Sequence, residues 1–143
     1  MTDILKLQLP GKPQYVSTVR MVIASLANSA GFDVEAIEDM KVAVSEACTN
    51  AVCHGGSGEN LYEVSFELSD EQLCICVQDQ GEGYDMNEYQ KPDLDCPKEG
   101  GLGLFIIQTL MDEVESISEP GKGTKIRMVK YRPYSFCFLN HVY

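Results

Sequence analysis

Positive charge is scarce in this chain: across 143 residues, 11 lysines and arginines stand against 22 acids, a net charge of −11. That balance argues against broad binding to nucleic acid or to anionic membrane, both of which require cations to meet phosphate. It suits a soluble protein whose partners present basic surface. Long apolar runs are missing as well. No stretch approaches the roughly 20 residues needed to cross a bilayer. The opening MTDILKLQLP lacks the basic start and apolar core of a signal peptide, so a cytoplasmic location is expected. The six cysteines, Cys48, Cys53, Cys74, Cys76, Cys96 and Cys137, follow no disulfide framework and contain no C-x-x-C pair. Cys48 and Cys53 are too far apart around a helix to share a zinc ion easily. Reduced thiols are expected, most of them filling core space. Two phosphate-binding signatures are also absent. Without G-x-x-x-x-G-K-[ST] there is no P-loop. Without a G-x-G-x-x-G joining a strand directly to a helix there is no dinucleotide-binding fold.

The length suits one domain with a real core. Its centre is Lys41–Gly56, KVAVSEACTNAVCHGG. Glu46, Asn50 and His54 recur at i, i+4 and i+8, so on a helix they share one face. Val44, Ala47, Cys48, Ala51 and Val52 supply apolar surface elsewhere around it, and Gly55-Gly56 is suited to ending it. An amide one turn from a carboxylate has uses at a phosphate. Asn50 offers a metal a neutral oxygen, and Glu46 takes or orients a proton. Taken alone, the same stripe is also what a solvated face of an amphipathic helix looks like. His54 reads as helix-end structure rather than as a base.

The flanking chain alternates between two periods. Ile4–Leu9 has strand alternation, with Leu5, Leu7 and Leu9 on one side. Gln14–Ala30 is helical in pattern and Gly31 closes it. Asp33 or Val34 opens the next helix, which runs on into the Glu46 stretch. Leu61–Leu68 is a half-buried strand, and Leu73–Asp79 is the second arm of a hairpin with it. Leu73, Ile75, Val77 and Asp79 share a face, so a carboxylate continues a core-facing row. That place is costly for a charge unless something pairs with it. Tyr84–Gly100 has no period, and a loop of that length is expected to be mobile and functional. Gly101-Leu102-Gly103-Leu104 opens an apolar helix through Met111. Val114–Ser118 is a weak strand. Thr124–Lys130 is a strong one, with Thr124, Ile126 and Met128 expected inward and Lys125, Arg127 and Lys130 outward. The segment 132–143 forms an unassigned tail.

Several of these pieces have a use around a nucleotide. Asp79, facing an apolar floor, can accept a hydrogen bond from the exocyclic amine of adenine. Gly81 and Gly83 allow backbone to approach a flat base. Gly101 and Gly103, at a helix start, expose unpaired amides that favour phosphate. Thr124 shares the inward parity of its strand, so its hydroxyl can join Asp79 or a water at the base.

Four boxes occur in order: E-x-x-x-N-x-x-x-H at Glu46–His54, D-x-G-x-G at Asp79–Gly83, G-L-G-L at Gly101–Leu104 and G-T at Gly123-Thr124. Together they resemble those of the gyrase, chaperone, histidine-kinase and mismatch-repair ATPase superfamily, which shares the Bergerat nucleotide-binding fold. The short one-domain layout looks most like the bacterial anti-sigma factor serine/threonine kinases. The resemblance implies an α/β two-layer sandwich, with helices on one face of a mixed, mostly antiparallel sheet. It implies a kinase domain over residues 1–131 with a lid at 84–100, using ATP and Mg2+. It implies Glu46 as the catalytic carboxylate and Asn50 as the magnesium ligand. Asp79, Gly81, Gly83 and Thr124 would form the base pocket, and Gly101, Leu102, Gly103 and Leu104 the phosphate cradle. It further implies a dimer that holds a sigma factor and phosphorylates an anti-sigma factor antagonist. The alternative is an ATP-binding module that sequesters a partner without phosphate transfer. The chain departs from some relatives before the glycine-led helix, where Glu99-Gly100 stands in place of an arginine and Lys98 is the nearest cation.

Overall fold

The computed structural model describes residues 1–54, 61–80 and 102–133. Its elements in chain order are β1 (Asp3–Pro10), α1 (Val16–Ser29), α2 (Val34–His54), β2 (Leu61–Leu68), β3 (Gln72–Asp79), α3 (Leu102–Leu110), β4 (Glu113–Glu119) and β5 (Gly123–Tyr131). A single turn of 3-10 helix, Pro13–Tyr15, leads into α1.

Local chemistry explains the helix boundaries. Leaving α1, the Gly31 amide bonds to the Asn28 carbonyl and the Phe32 amide to the Ala27 carbonyl. Gly31 adopts a φ of 88°, which glycine takes without steric cost. Asp33 then caps α2: its carboxylate accepts the Ala36 amide at 2.8 Å. From there α2 runs unbroken for 21 residues, because nothing in it interrupts the hydrogen-bond ladder.

The strands form one open sheet in the order β1-β2-β3-β5-β4. Every pairing among the described strands is antiparallel, so the parallel component expected of a mixed sheet is not found there. β5 reaches its place between β3 and β4 by returning antiparallel to both. The helices pack on one face of the sheet. Residues with inward parity build the core from both layers: Val64, Phe66, Ile75, Val77, Ile126 and Met128 from the sheet, against Val19, Ile23, Met40, Val44, Ala47 and Ile107 from the helices. Burying each large apolar side chain contributes about 1.5–3 kcal/mol. No described helix is long and apolar enough to cross a membrane.

Three expectations need revision. Lys130 was expected to face outward, yet it shares the parity of Thr124 and Met128. Its ammonium donates to the Leu110 carbonyl at 2.6 Å and lies 3.8 Å from Asp39. A cation at the C-terminus of α3 meets the negative end of that helix. Cys53 is disulfide-bonded, so the thiols are not all reduced; Cys48, Cys74 and Cys76 are free. In the segment assigned to the tail, Arg132 is built into the fold. Its guanidinium donates to the carbonyls of Ser69 and Ala30 at 2.8 and 3.0 Å, and its amide donates to Glu71. The lid, the end of the helix at Gly55-Gly56 and the rest of the tail lie outside the described residues.

Candidate nucleotide site

Successive core-facing rows of the sheet change character from one end to the other. One row is Leu5, Phe66, Ile75, Met128 and Val114. Next is Leu7, Val64, Val77, Ile126 and Ser116. The third is Leu9, Tyr62 and Asp79, continued by Thr124 and Ser118 on β5 and β4. Period-two alternation guarantees that all of them face the helices. Four neighbouring strands thus place oxygen-bearing side chains along one rung, with Tyr62, Asp79 and Thr124 buried and Ser118 half-buried.

Asp79 is 2% exposed and Thr124 3%. The Thr124 amide donates to Asp79 Oδ1 at 3.2 Å, which supplies part of the pairing a buried carboxylate requires. Thr124 and Ser118 are joined hydroxyl to hydroxyl at 2.8 Å. Gly123, immediately before, has a φ of 81°. A side chain there would run into the Asp79 backbone carbonyl oxygen and sit 3.1 Å from Oδ1, so only glycine lets β5 close on Asp79.

The acid–amide stripe lies on α2 as expected, with Glu46 and Asn50 both half-buried. The opposite side of the same turns is sunk into the core through Ala43, Val44, Ala47, Cys48 and Ala51. Cys48 lies between Glu46 and Asn50 in sequence, and its thiol sits beside the Tyr62 hydroxyl. That contact joins the core-facing side of α2 to β2. Burial pushes the Cys48 thiol up to about 12 and also raises Tyr62. Both are therefore neutral packing groups at pH 7, and among the described residues Tyr62 has no oxygen or nitrogen partner.

Helix α3 packs on α2. It begins at Leu102, with Gly103 buried, Leu104 half-buried and the Leu102 side chain exposed. Its first amides have no acceptor within the helix. Gly81, Gly83 and Gly101 lie outside the described residues, as does the side chain of His54. The structure thus draws Asp79 and Thr124 together directly, and it holds Glu46 and Asn50 on one half-buried stripe of α2.

Sequence reasoning overlooked Ser118 and the steric role of Gly123. Ser118 was hidden in a strand with little apolar signal. Its parity with Val114 and Ser116 was legible, but its bond to Thr124 depends on a register that only strand pairing sets. Gly123 was visible in the G-T box, whereas the reason for glycine there is the nearness of Asp79, 44 positions back in the chain.

The histidine kinase-like ATPase domain matches residues 9–130. The chain belongs to that family. It is 40% identical over 139 residues to the serine-protein kinase RsbW of Bacillus velezensis, covering 90% of this chain and 86% of that one. It is also 40% identical to the serine-protein kinase RsbW of Listeria monocytogenes, covering 92% and 88%. Among solved structures it is similar to the RsbU and RsbW domains of a Mycobacterium tuberculosis protein, with a TM-score of 0.68 and 23% identity. That superposition spans 92% of this chain and 33% of the longer one, and it carries the fold alone. A blue-light activated histidine kinase domain from Erythrobacter litoralis superposes with a TM-score of 0.51 at 22% identity, over 85% of this chain and 61% of that one. With serine-protein kinases at this level of identity over nearly the whole chain, the protein is a protein serine kinase that uses ATP.

Proposed function

We propose that this chain is an anti-sigma factor kinase: it binds a sigma factor and transfers the γ-phosphate of ATP to a serine or threonine of an anti-sigma factor antagonist. The reading places it in the cytoplasm as a homodimer. What supports it is the 40% identity to serine-protein kinases over 90% of the chain, together with the buried Asp79–Thr124 pair at one end of the sheet. Base recognition and phosphate chemistry occupy the two ends of one site in this reading.

The adenine amine donates to Asp79, and the Thr124 hydroxyl supports the base. The first amides of α3, at Leu102, Gly103 and Leu104, face the phosphates together with Gly101, while Gly81 and Gly83 shape the base pocket. Asn50 and Glu46 offer hard oxygen donors on a half-buried helix face, which suits Mg2+, an ion that retains waters and uses few protein ligands. Asn50 would hold it, and the ion would supply neutralisation of charge at the phosphate oxygens. Glu46 accepts the proton of the attacking hydroxyl. The bond from that oxygen to the γ-phosphorus forms, the bond from phosphorus to the bridging oxygen breaks, and ADP leaves with the electron pair. Little covalent work remains for the protein beyond positioning and charge.

Incubating the chain with γ-labelled ATP and a candidate antagonist tests this. Label on a serine or threonine of the antagonist is the expected result. ATP-dependent binding of the antagonist with no transferred label would instead make the chain a nucleotide-gated sequestering module.

A further inference from the structure

Ser118 takes no part in the readings above, yet it makes a short side-chain contact with a residue of the base pocket. We infer that Ser118 sets the hydrogen-bond polarity of Thr124 and thereby makes the site selective for purines whose N1 is an acceptor. The inference rests on Asp79 and Thr124 being the base-reading pair.

A hydroxyl has one proton and two lone pairs. Thr124 Oγ1 lies 2.8 Å from Ser118 Oγ, and either oxygen can donate. The two choices leave different groups for a base. If Thr124 donates to Ser118, its proton is used and only an acceptor remains. If Ser118 donates, the Thr124 proton is left for the ligand. Adenine presents an amine donor at C6 next to an acceptor at N1. Asp79 supplies the acceptor for the amine. The complementary arrangement therefore has Ser118 donating to Thr124, and Thr124 donating to N1 directly or through one water. Hypoxanthine and guanine carry a proton on N1 and an oxygen at C6, so they meet the reverse polarity.

Position supports the assignment. Ser118 and Thr124 are opposite each other in the β4–β5 register. Thr124 is almost fully buried, and its amide is committed to Asp79. The Thr124 backbone is thus held against Asp79, and its hydroxyl meets the Ser118 hydroxyl across the strand pair.

The test is equilibrium binding of three nucleotides: ATP; purine riboside triphosphate, which retains the N1 acceptor but lacks the amine; and ITP, which carries the N1 proton. One hydrogen bond is worth about 0.5–1.5 kcal/mol net, which converts to roughly a 2- to 12-fold change in affinity. Ser118→Ala should weaken ATP and purine riboside triphosphate by that factor and leave ITP within about twofold. Ser118→Thr retains the hydroxyl and should restore both. On a Thr124→Val background, Ser118→Ala should have no further effect, since the two act as one unit. Asp79→Asn should weaken ATP but not purine riboside triphosphate, which isolates the adenine reading. Equal losses for all three nucleotides in Ser118→Ala, or no loss at all, would overturn the role of Ser118 while leaving Asp79 in place. If Asp79→Asn treats ATP and purine riboside triphosphate alike, the adenine reading falls and the Ser118 assignment falls with it.

Discussion

Glu46 and Asn50 are the residues whose identity matters most to the proposed chemistry, and their roles separate by experiment. Glu46→Gln keeps size and hydrogen bonding but removes the proton acceptor. General acid–base assistance is typically worth about 10²–10⁴ in rate. Near-normal ATP affinity is expected, with single-turnover transfer slowed by a factor of that order. Unchanged transfer would return Glu46 to a solvated polar face. Asn50→Ala removes a neutral oxygen rather than a base. The expected result is loss of the magnesium-dependent part of ATP binding together with turnover, read by calorimetry with and without Mg2+. A variant that binds Mg-ATP as the wild type does would remove the metal role from Asn50. Both residues were legible because a helix of unbroken pattern makes i, i+4 a statement about a shared face. Lys130 shows the opposite case. Its charge suggested an outward side chain, and parity is what governs where it points, with the Leu110 carbonyl as its partner.

Among the elements, the turn into β5 carries the tightest requirement. Gly123 combines a φ of 81° with a backbone approach to Asp79 that no side chain tolerates. Strain of this kind costs of order 1–3 kcal/mol before any steric clash is added. Gly123→Ala is therefore expected to lower the melting temperature by several degrees, as a change of about 1 kcal/mol moves a domain of this size by roughly 2–8 °C. It should also weaken ATP binding, because β5 must withdraw from Asp79. Gly121→Ala serves as the control. It shares the φ of 81°, yet nothing lies within 4 Å of where its side chain would begin. It should lose stability through backbone strain while ATP affinity stays near normal. A Gly123→Ala protein with wild-type melting and wild-type affinity would show that the close approach does not matter. The sequence marked this stretch as a turn from Pro120 and its glycines. It could not say which glycine was there for the turn and which for a neighbouring strand.

At the scale of the whole molecule, the buried thiol and phenol between α2 and β2 make stability depend on alkaline pH. Cys48 is moved from an ordinary 9.0 up to about 12 by burial, and Tyr62 is raised for the same reason. Below pH 9 both states of the protein hold the Cys48 proton and the effect is absent. Between about 9 and 12 the unfolded chain releases that proton while the folded one keeps it, so unfolding becomes easier as pH rises. The slope approaches about 1.4 kcal/mol per pH unit for one fully buried group. Denaturant midpoints measured from pH 8 to 11 should fall, with a shallower fall in Cys48→Ala. A flat profile would contradict the burial of the thiol in solution.

The sequence by itself determined the periods, and the periods determined the elements. Leu61–Leu68 emerges as β2 with the expected bounds, and the helix read from Asp33 or Val34 through the Glu46 stretch is one continuous α2. It also determined which residues share a face, because that follows from local geometry alone. Only the tertiary structure decided which strands lie side by side. The order β1-β2-β3-β5-β4 sets Thr124 against Asp79 and Ser118 against Thr124, across separations of 45 and 6 residues. The physical reason is that register is a property of pairs of strands. A hydroxyl on a strand advertises its face in the sequence, whereas its partner is fixed only when two strands have met.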